Sequence, residues 1–135
     1  MENPFHTVRG YVEHLALDVV HEDAGEQILV VDAPERGIHQ LILDCEDEIL
    51  VIEQFIAKLP AADAATYRGL LQINRDIVNG ALCLDETGER LIFRDTLALE
   101  HLDFNELEST INALSLMLAE HADQLISISK QGVAA

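Results

Sequence analysis

Three apolar, β-branched runs lie almost end to end in the first half of this chain: ILVVD (28–32), IHQLILDC (38–45) and ILVIEQFIAKL (49–59). Only APERG (33–37) and EDE (46–48) separate them, and turns that short return a strand beside its predecessor. The third run is long enough to be a helix, but Ile49, Val51, Ile52 and Ile56 tip it to a strand. An antiparallel meander is therefore predicted at the centre of the fold, and the remaining elements have to cover it.

Helical spacing brackets the meander. Phe5, Val8, Val12 and Leu15 predict an amphipathic helix over about 4–17, with Pro4 in its first turn. HEDAGEQ (21–27) reads as a polar loop. Pro60 ends the third strand, and Asp63 is placed to cap a helix carrying Tyr67, Leu70, Leu71, Ile73, Ile77 and Val78, which Gly80 terminates. ALCLD and RLIFRD flank ETGE, so 81–95 reads as a hairpin with Gly88 at its left-handed position. Asp103 and Glu106 form a capping box for a last helix with apolar positions Leu107, Ile111, Leu114, Leu118 and Leu125. The tail is expected to fray, from about residue 128 onward.

The predicted order is α-β-β-β-α-β-β-α, an α+β two-layer fold with an antiparallel sheet packed on helices. At 135 residues the chain is expected to form one domain, 1–135, able to bury roughly 68% of its unfolded surface. With no Trp, two Tyr and four Phe, its core must be mostly Leu, Ile, Val and Ala.

Charge narrows the function. Twenty-five acidic residues against eight basic ones give −17, which repels phosphates and anionic lipid and favours solubility and basic partners. No apolar run approaches the roughly 20 residues of a membrane span, and the N-terminus has no signal-peptide pattern. Cys45 and Cys83 have no CxxC spacing and read as free thiols in a reducing cytosol, so the expected location is cytoplasmic.

No chemistry is spelled out by motif. The glycines form neither GxGxxG nor a P-loop, and there is no GxSxG elbow. The six histidines give no HExxH or zinc pattern. Asp44, Glu46, Asp47 and Glu48 cluster at a turn but lack the spacing of a calcium loop. Cys83, between Leu82 and Leu84, reads as a small core residue rather than a nucleophile, and His101, Asp103 and Glu106 are the one local cluster worth checking. The expectation is a non-catalytic protein with no cofactor and no metal.

The stretch LLQINRDIVNGALCLDETGERLIFR and the residues up to the last helix carry a resemblance. A helix ends in Leu-x-x-Asn (Leu71 to Asn74), then come Gly80, an Ala-x-x-Leu-Asp strand (Ala81 to Asp85), the Gly88 turn, a basic apolar strand (Leu91 to Arg94) and a Leu-Asp-x-x-Glu-Leu helix start (Leu102 to Leu107). This half of the chain resembles the type III secretion chaperone-like superfamily, that is, the Tir-chaperone family and its YbjN-type relatives. The resemblance implies the same element order, a small acidic homodimer, and a client (effector) protein held as an extended, unfolded segment by grooves and sheet edges. The alternative within the same fold is a YbjN-like regulator or adaptor that binds a folded partner.

On that reading the client-binding candidates are Phe5, Val8, Val12, Leu15, Leu17, Ile28 and Val30, although each taken alone reads more readily as an ordinary core residue. The dimer-interface candidates are Leu71, Asn74, Val78, Leu82 and Leu84. Asn74 would make a local or an interface hydrogen bond, or face solvent near the helix end.

Overall fold

The structure, a computed structural model, describes residues 3–59 and 63–131. Its elements are α1 (Pro4–His14), β1 (Asp18–Asp23), β2 (Ile28–Ala33), β3 (Ile38–Glu46), β4 (Ile49–Lys58), α2 (Ala64–Asp76), β5 (Ala81–Leu84), β6 (Arg90–Ala98) and α3 (Phe104–Gln131). The six strands form one sheet in the order β1-β2-β3-β4-β6-β5, with every neighbour antiparallel. The α+β class and the meander stand as the sequence predicts.

The order is corrected to α-β-β-β-β-α-β-β-α, because 18–23, whose second half reads as part of the 21–27 loop, is a strand. DVVHED lies at the sheet edge and pairs on one side only, with β2, so no buried face imposes alternation on its sequence. The first helix also stops three residues early. Leu17 N–H reaches Val12 O at 3.2 Å and Ala16 N–H reaches Glu13 O at 3.1 Å, with Ala16 at φ 58. That is a Schellman closure with alanine where glycine is usual, so no glycine announces it.

The second helix ends at Asp76, not at Gly80. Gly80 serves a different purpose: at φ +84, a Cβ there would lie 2.5 Å from Phe93 Cζ. Gly88 takes its left-handed place in the β5–β6 turn at φ +76, with its N–H 3.0 Å from Asp85 O. At the start of α3 the capping box closes both ways, Glu106 N–H to Asp103 Oδ1 at 2.8 Å and Asp103 N–H to Glu106 Oε1 at 3.3 Å. Over the described part of the tail, α3 runs to Gln131 and Ile128 is buried. Residues 132–135 and the strand-ending Pro60 lie outside the described residues.

One face of the sheet carries the core. Leu29, Val31, Leu41, Leu43, Leu50, Ile52, Leu91 and Phe93 meet Phe5, Val8 and Val12 of α1, Leu70 and Ile73 of α2, and Leu107, Ile111, Leu114, Met117 and Leu125 of α3. Burying a Leu, Ile, Val or Phe side chain contributes about 1.5–3 kcal/mol, so this single layer supplies the main drive to fold. Three polar side chains are buried among the described residues, Gln54, Thr66 and Thr110, and Gln54 shares the core face of the sheet. Gln54 accepts from His39 N–H at 2.9 Å and donates to Gly37 O at 3.1 Å, which pins the β2–β3 turn to β4. Among the described residues, no helix lies against the other face of the sheet.

Candidate binding surfaces

Strand alternation sends every second residue of the sheet away from the helices. Register aligns these residues across the strands: Val30, Ile42, Glu53, Arg94 and Ala81 in one row, and Ile28, Asp44, Val51 and Thr96 in the next. Phe55, Ile92 and Cys83 form a third. Ile42 is 40% exposed and Phe55 43%, while Ile28, Val30 and Ile92 are half-buried by their neighbours. An apolar stripe thus runs over the open face. Its two arginines are engaged within it: Arg94 Nε lies 2.9 Å from Glu53 Oε1, and the Arg90 guanidinium stacks 4.1 Å above the Phe55 ring.

The β2–β3–β4 end of this face is acidic. Burial, then repulsion from Glu46, Glu26 and Glu53, pushes the Asp44 carboxyl above its ordinary pKa. Among the described residues no Lys or Arg forms an ion pair with Asp44, Glu46, Asp47 or Glu48.

A second apolar surface lies on α2. Tyr67 and Leu71 stand one helical turn apart, Val78 follows in the connection after the helix, and Leu71 is 69% and Val78 85% exposed. Arg68, Gln72 and Arg75 flank Tyr67 and Leu71 in a shallow groove. Nearby, Val78, Ile77 and Asp76 meet Leu116, Met117 and His121 of α3. A third cleft, of about 670 Å³, opens between α1 and the start of α3, lined by His6, Tyr11, His14 and Phe104. Tyr11 is held there by its hydroxyl, which donates to Leu102 O at 3.2 Å.

The sequence-derived candidates divide between these surfaces and the core. Phe5, Val8, Val12 and Leu17 are core residues, so they line no open groove, and Leu15 packs half-buried against them. Ile28 and Val30 do reach the open sheet face. Leu71, Val78 and Leu84 are exposed, whereas Leu82 is buried. Asn74 makes the local hydrogen bonds: its Oδ1 accepts from Leu82 N–H at 2.7 Å and its Nδ2 donates to Leu82 O at 3.0 Å. Sequence reasoning missed Ile42, Ile49, Phe55 and Ile92, although apolar residues at both parities of β3 and β4 were a legible signal that both faces are apolar.

Groups with chemistry do not converge. His101 points to solvent beside Glu100, while Asp103 and Glu106 are occupied in the capping box. Burial and the adjacent Asp44 push the Cys45 thiol up to about 11, and burial raises Cys83 as well. Both thiols are free. Among the described residues no three His, Cys, Asp or Glu side chains are grouped to hold a metal ion, and no helix is long and apolar enough to cross a membrane.

Comparison with known proteins gives three kinds of result. The family model CesT_Tir_1 matches residues 1–131. No curated protein sequence matches the chain. Among solved structures, YbjN from E. coli is similar at 15% identity over 89% of this chain and 92% of that one, with a TM-score of 0.64. The type III secretion chaperone SycH of Yersinia pestis, in complex with a fragment of YscM2, is similar at 14% identity over 94% and 100%, with a TM-score of 0.56. The heterodimeric ExoU–SpcU complex from the type III secretion system of Pseudomonas aeruginosa is similar at 17% identity over 67% and 74%, with a TM-score of 0.53. At these identities the likeness is one of fold.

Proposed function

The chain belongs to the CesT_Tir_1 family, and from that premise we propose that it is a non-catalytic, homodimeric, cytoplasmic binding protein that holds an extended segment of a client protein. The observation that carries this reading is the amount of apolar surface left uncovered in a chain whose core is otherwise well closed. The open sheet face and the α2 stripe are contiguous patches of the kind that mark protein interaction sites. Two similar structures are complexes of a secretion chaperone or secretion-system protein with a second protein, which supports a protein partner.

The two surfaces suit two tasks. The α2 stripe of Tyr67 and Leu71, continued by Val78 just past the helix, is narrow and flanked by Arg68 and Arg75, two of only eight basic residues. Pairing two copies there would bury the stripe. The sheet face and the exposed edge of β1 remain free for the client on both copies. An edge strand offers backbone hydrogen bonds that do not depend on the client's sequence.

A second reading keeps the fold and changes the partner: a YbjN-like regulator or adaptor that binds a folded protein. YbjN is similar over nearly its whole length, which favours keeping this alternative. Both readings are tested by recovering the tagged protein from its native host. A near-stoichiometric client whose bound segment is protease-sensitive when released supports the holding role. A folded partner supports the adaptor, and the absence of any partner removes both.

A further inference from the structure

We infer that the open sheet face takes a peptide segment whose apolar residues are flanked by Lys or Arg, seated on Ile28, Val30, Ile42, Phe55 and Ile92 with its cationic end over Asp44 and Glu46. This rests on the client-holding reading and names the chemistry of the client.

Three observations choose this occupant. The apolar stripe needs an apolar partner, because no helix among the described residues covers it. Its arginines are already engaged, Arg94 by Glu53 and Arg90 by the Phe55 ring and Asp85, and the exposed Lys58 stands in register with Arg90, at the far end of β4 from the Asp44–Val51 row, so an acidic segment finds no cation at that acidic end. At the other end Asp44 and Glu46 repel one another beside Glu26 and Glu53 without a Lys or Arg in ion-pair contact with either among the described residues. A lysine or arginine placed over that cluster would relieve the repulsion inside a partly apolar surface, where an ion pair is screened less than in open solvent.

A second copy fits this face poorly. Each copy carries −17, and stacking two such faces would confine both carboxylate clusters in one interface. Nucleic acid is repelled by the same charge.

The test uses the full-length protein and two synthetic peptides of alternating leucine and serine, one with lysines at both ends and the other with glutamates there. Fluorescence anisotropy should show the lysine peptide binding at least about tenfold tighter, with the gap narrowing as salt is raised. The double variant Ile42→Ser, Phe55→Ser should weaken lysine-peptide binding about tenfold, a loss of roughly 1.4 kcal/mol. Both residues are surface-exposed, and a melting curve confirms that the variant folds. Asp44→Asn with Glu46→Gln should remove the preference for lysine while leaving apolar binding in place.

Equal binding of the two peptides, or unchanged lysine-peptide affinity in the double variant, overturns the inference. If a client recovered from the host still binds the double variant, the holding role stands and this face is rejected as its seat. If no client is recovered and neither peptide binds, both readings fall.

Discussion

The side-chain amide of Asn74, on α2, brackets the backbone of Leu82, on β5, accepting from its N–H at 2.7 Å and donating to its carbonyl at 3.0 Å. The amide reproduces the pairing that a neighbouring strand would give an edge residue, and it does so from a helix. It thereby fixes the α2–β5 connection and occupies both backbone groups of Leu82. Replacing Asn74 with Leu leaves a partly buried N–H and C=O without partners, a loss of about 1–3 kcal/mol. The urea midpoint should fall accordingly, and an unchanged midpoint would show that water replaces the amide at no cost.

Gly80 and Gly88 have nearly the same φ, +84 and +76, and should respond differently to alanine. At Gly88 nothing lies within 4 Å of the added Cβ, so the penalty is the left-handed backbone alone, about 1–2 kcal/mol. At Gly80 the Cβ meets Phe93 Cζ at 2.5 Å and Arg94 O at 3.2 Å, and Phe93 is fully buried. Gly80→Ala should therefore lower Tm well beyond Gly88→Ala, by an overpacking term of about 1–3 kcal/mol. Equal shifts would mean that Phe93 moves aside freely.

The proposed dimer separates association from folding. Leu71→Asp and Val78→Asp sit on exposed positions and should convert the dimer to a folded monomer, read by light scattering together with circular dichroism. Leu82→Asp puts a charge into the core and should lose most of the folded state. A Leu71→Asp protein that remains dimeric would move the interface elsewhere.

Two aspartates should give pH dependences of opposite sign. Asp44 has its folded-state pKa raised by burial and by its acidic neighbours, so the folded form binds its proton more tightly. Its ionisation weakens the fold as pH rises from the ordinary value through the raised one, and Asp44→Asn should stabilise at neutral pH and be silent in strong acid. Asp63, the N-cap of α2, accepts from both Thr66 N–H and Thr66 Oγ1 at 2.9 Å, and these bonds hold its pKa below the ordinary value. Its contribution is present above the ordinary value and is lost as pH falls through the lowered one. Asp63→Ala removes the cap, so it should lower Tm at neutral pH and leave it unchanged in strong acid. Melting curves of the two variants across pH should diverge in these directions, and parallel curves would refute the assignments.

Most of the architecture is legible in the residues because the forces that set it are local. β-Branched runs broken by short turns specify an antiparallel meander. Asp63 and the Asp103–Glu106 pair mark helix starts through hydrogen bonds within one turn, and Gly88 marks a hairpin through its own φ. Where a local signal is absent, sequence reasoning goes astray. Ala16 closes α1 in a conformation that glycine would have advertised, and β1 has no buried face to imprint alternation on DVVHED.

Which apolar residues stay uncovered is a different kind of question. Phe5, Val8 and Val12 have the same helical spacing whether they line a groove or a core, and only the arrival of the sheet and α3 buries them. Ile42 and Leu43 are adjacent and similar, yet pairing with β2 and β4 turns one toward solvent and the other into the interior. Periodicity reports that a face is apolar, since that is written along a single element. Whether the face is covered depends on a second element, distant in sequence, so the uncovered apolar surfaces of this protein exist only once helices have packed on one side of the sheet and left the other side open.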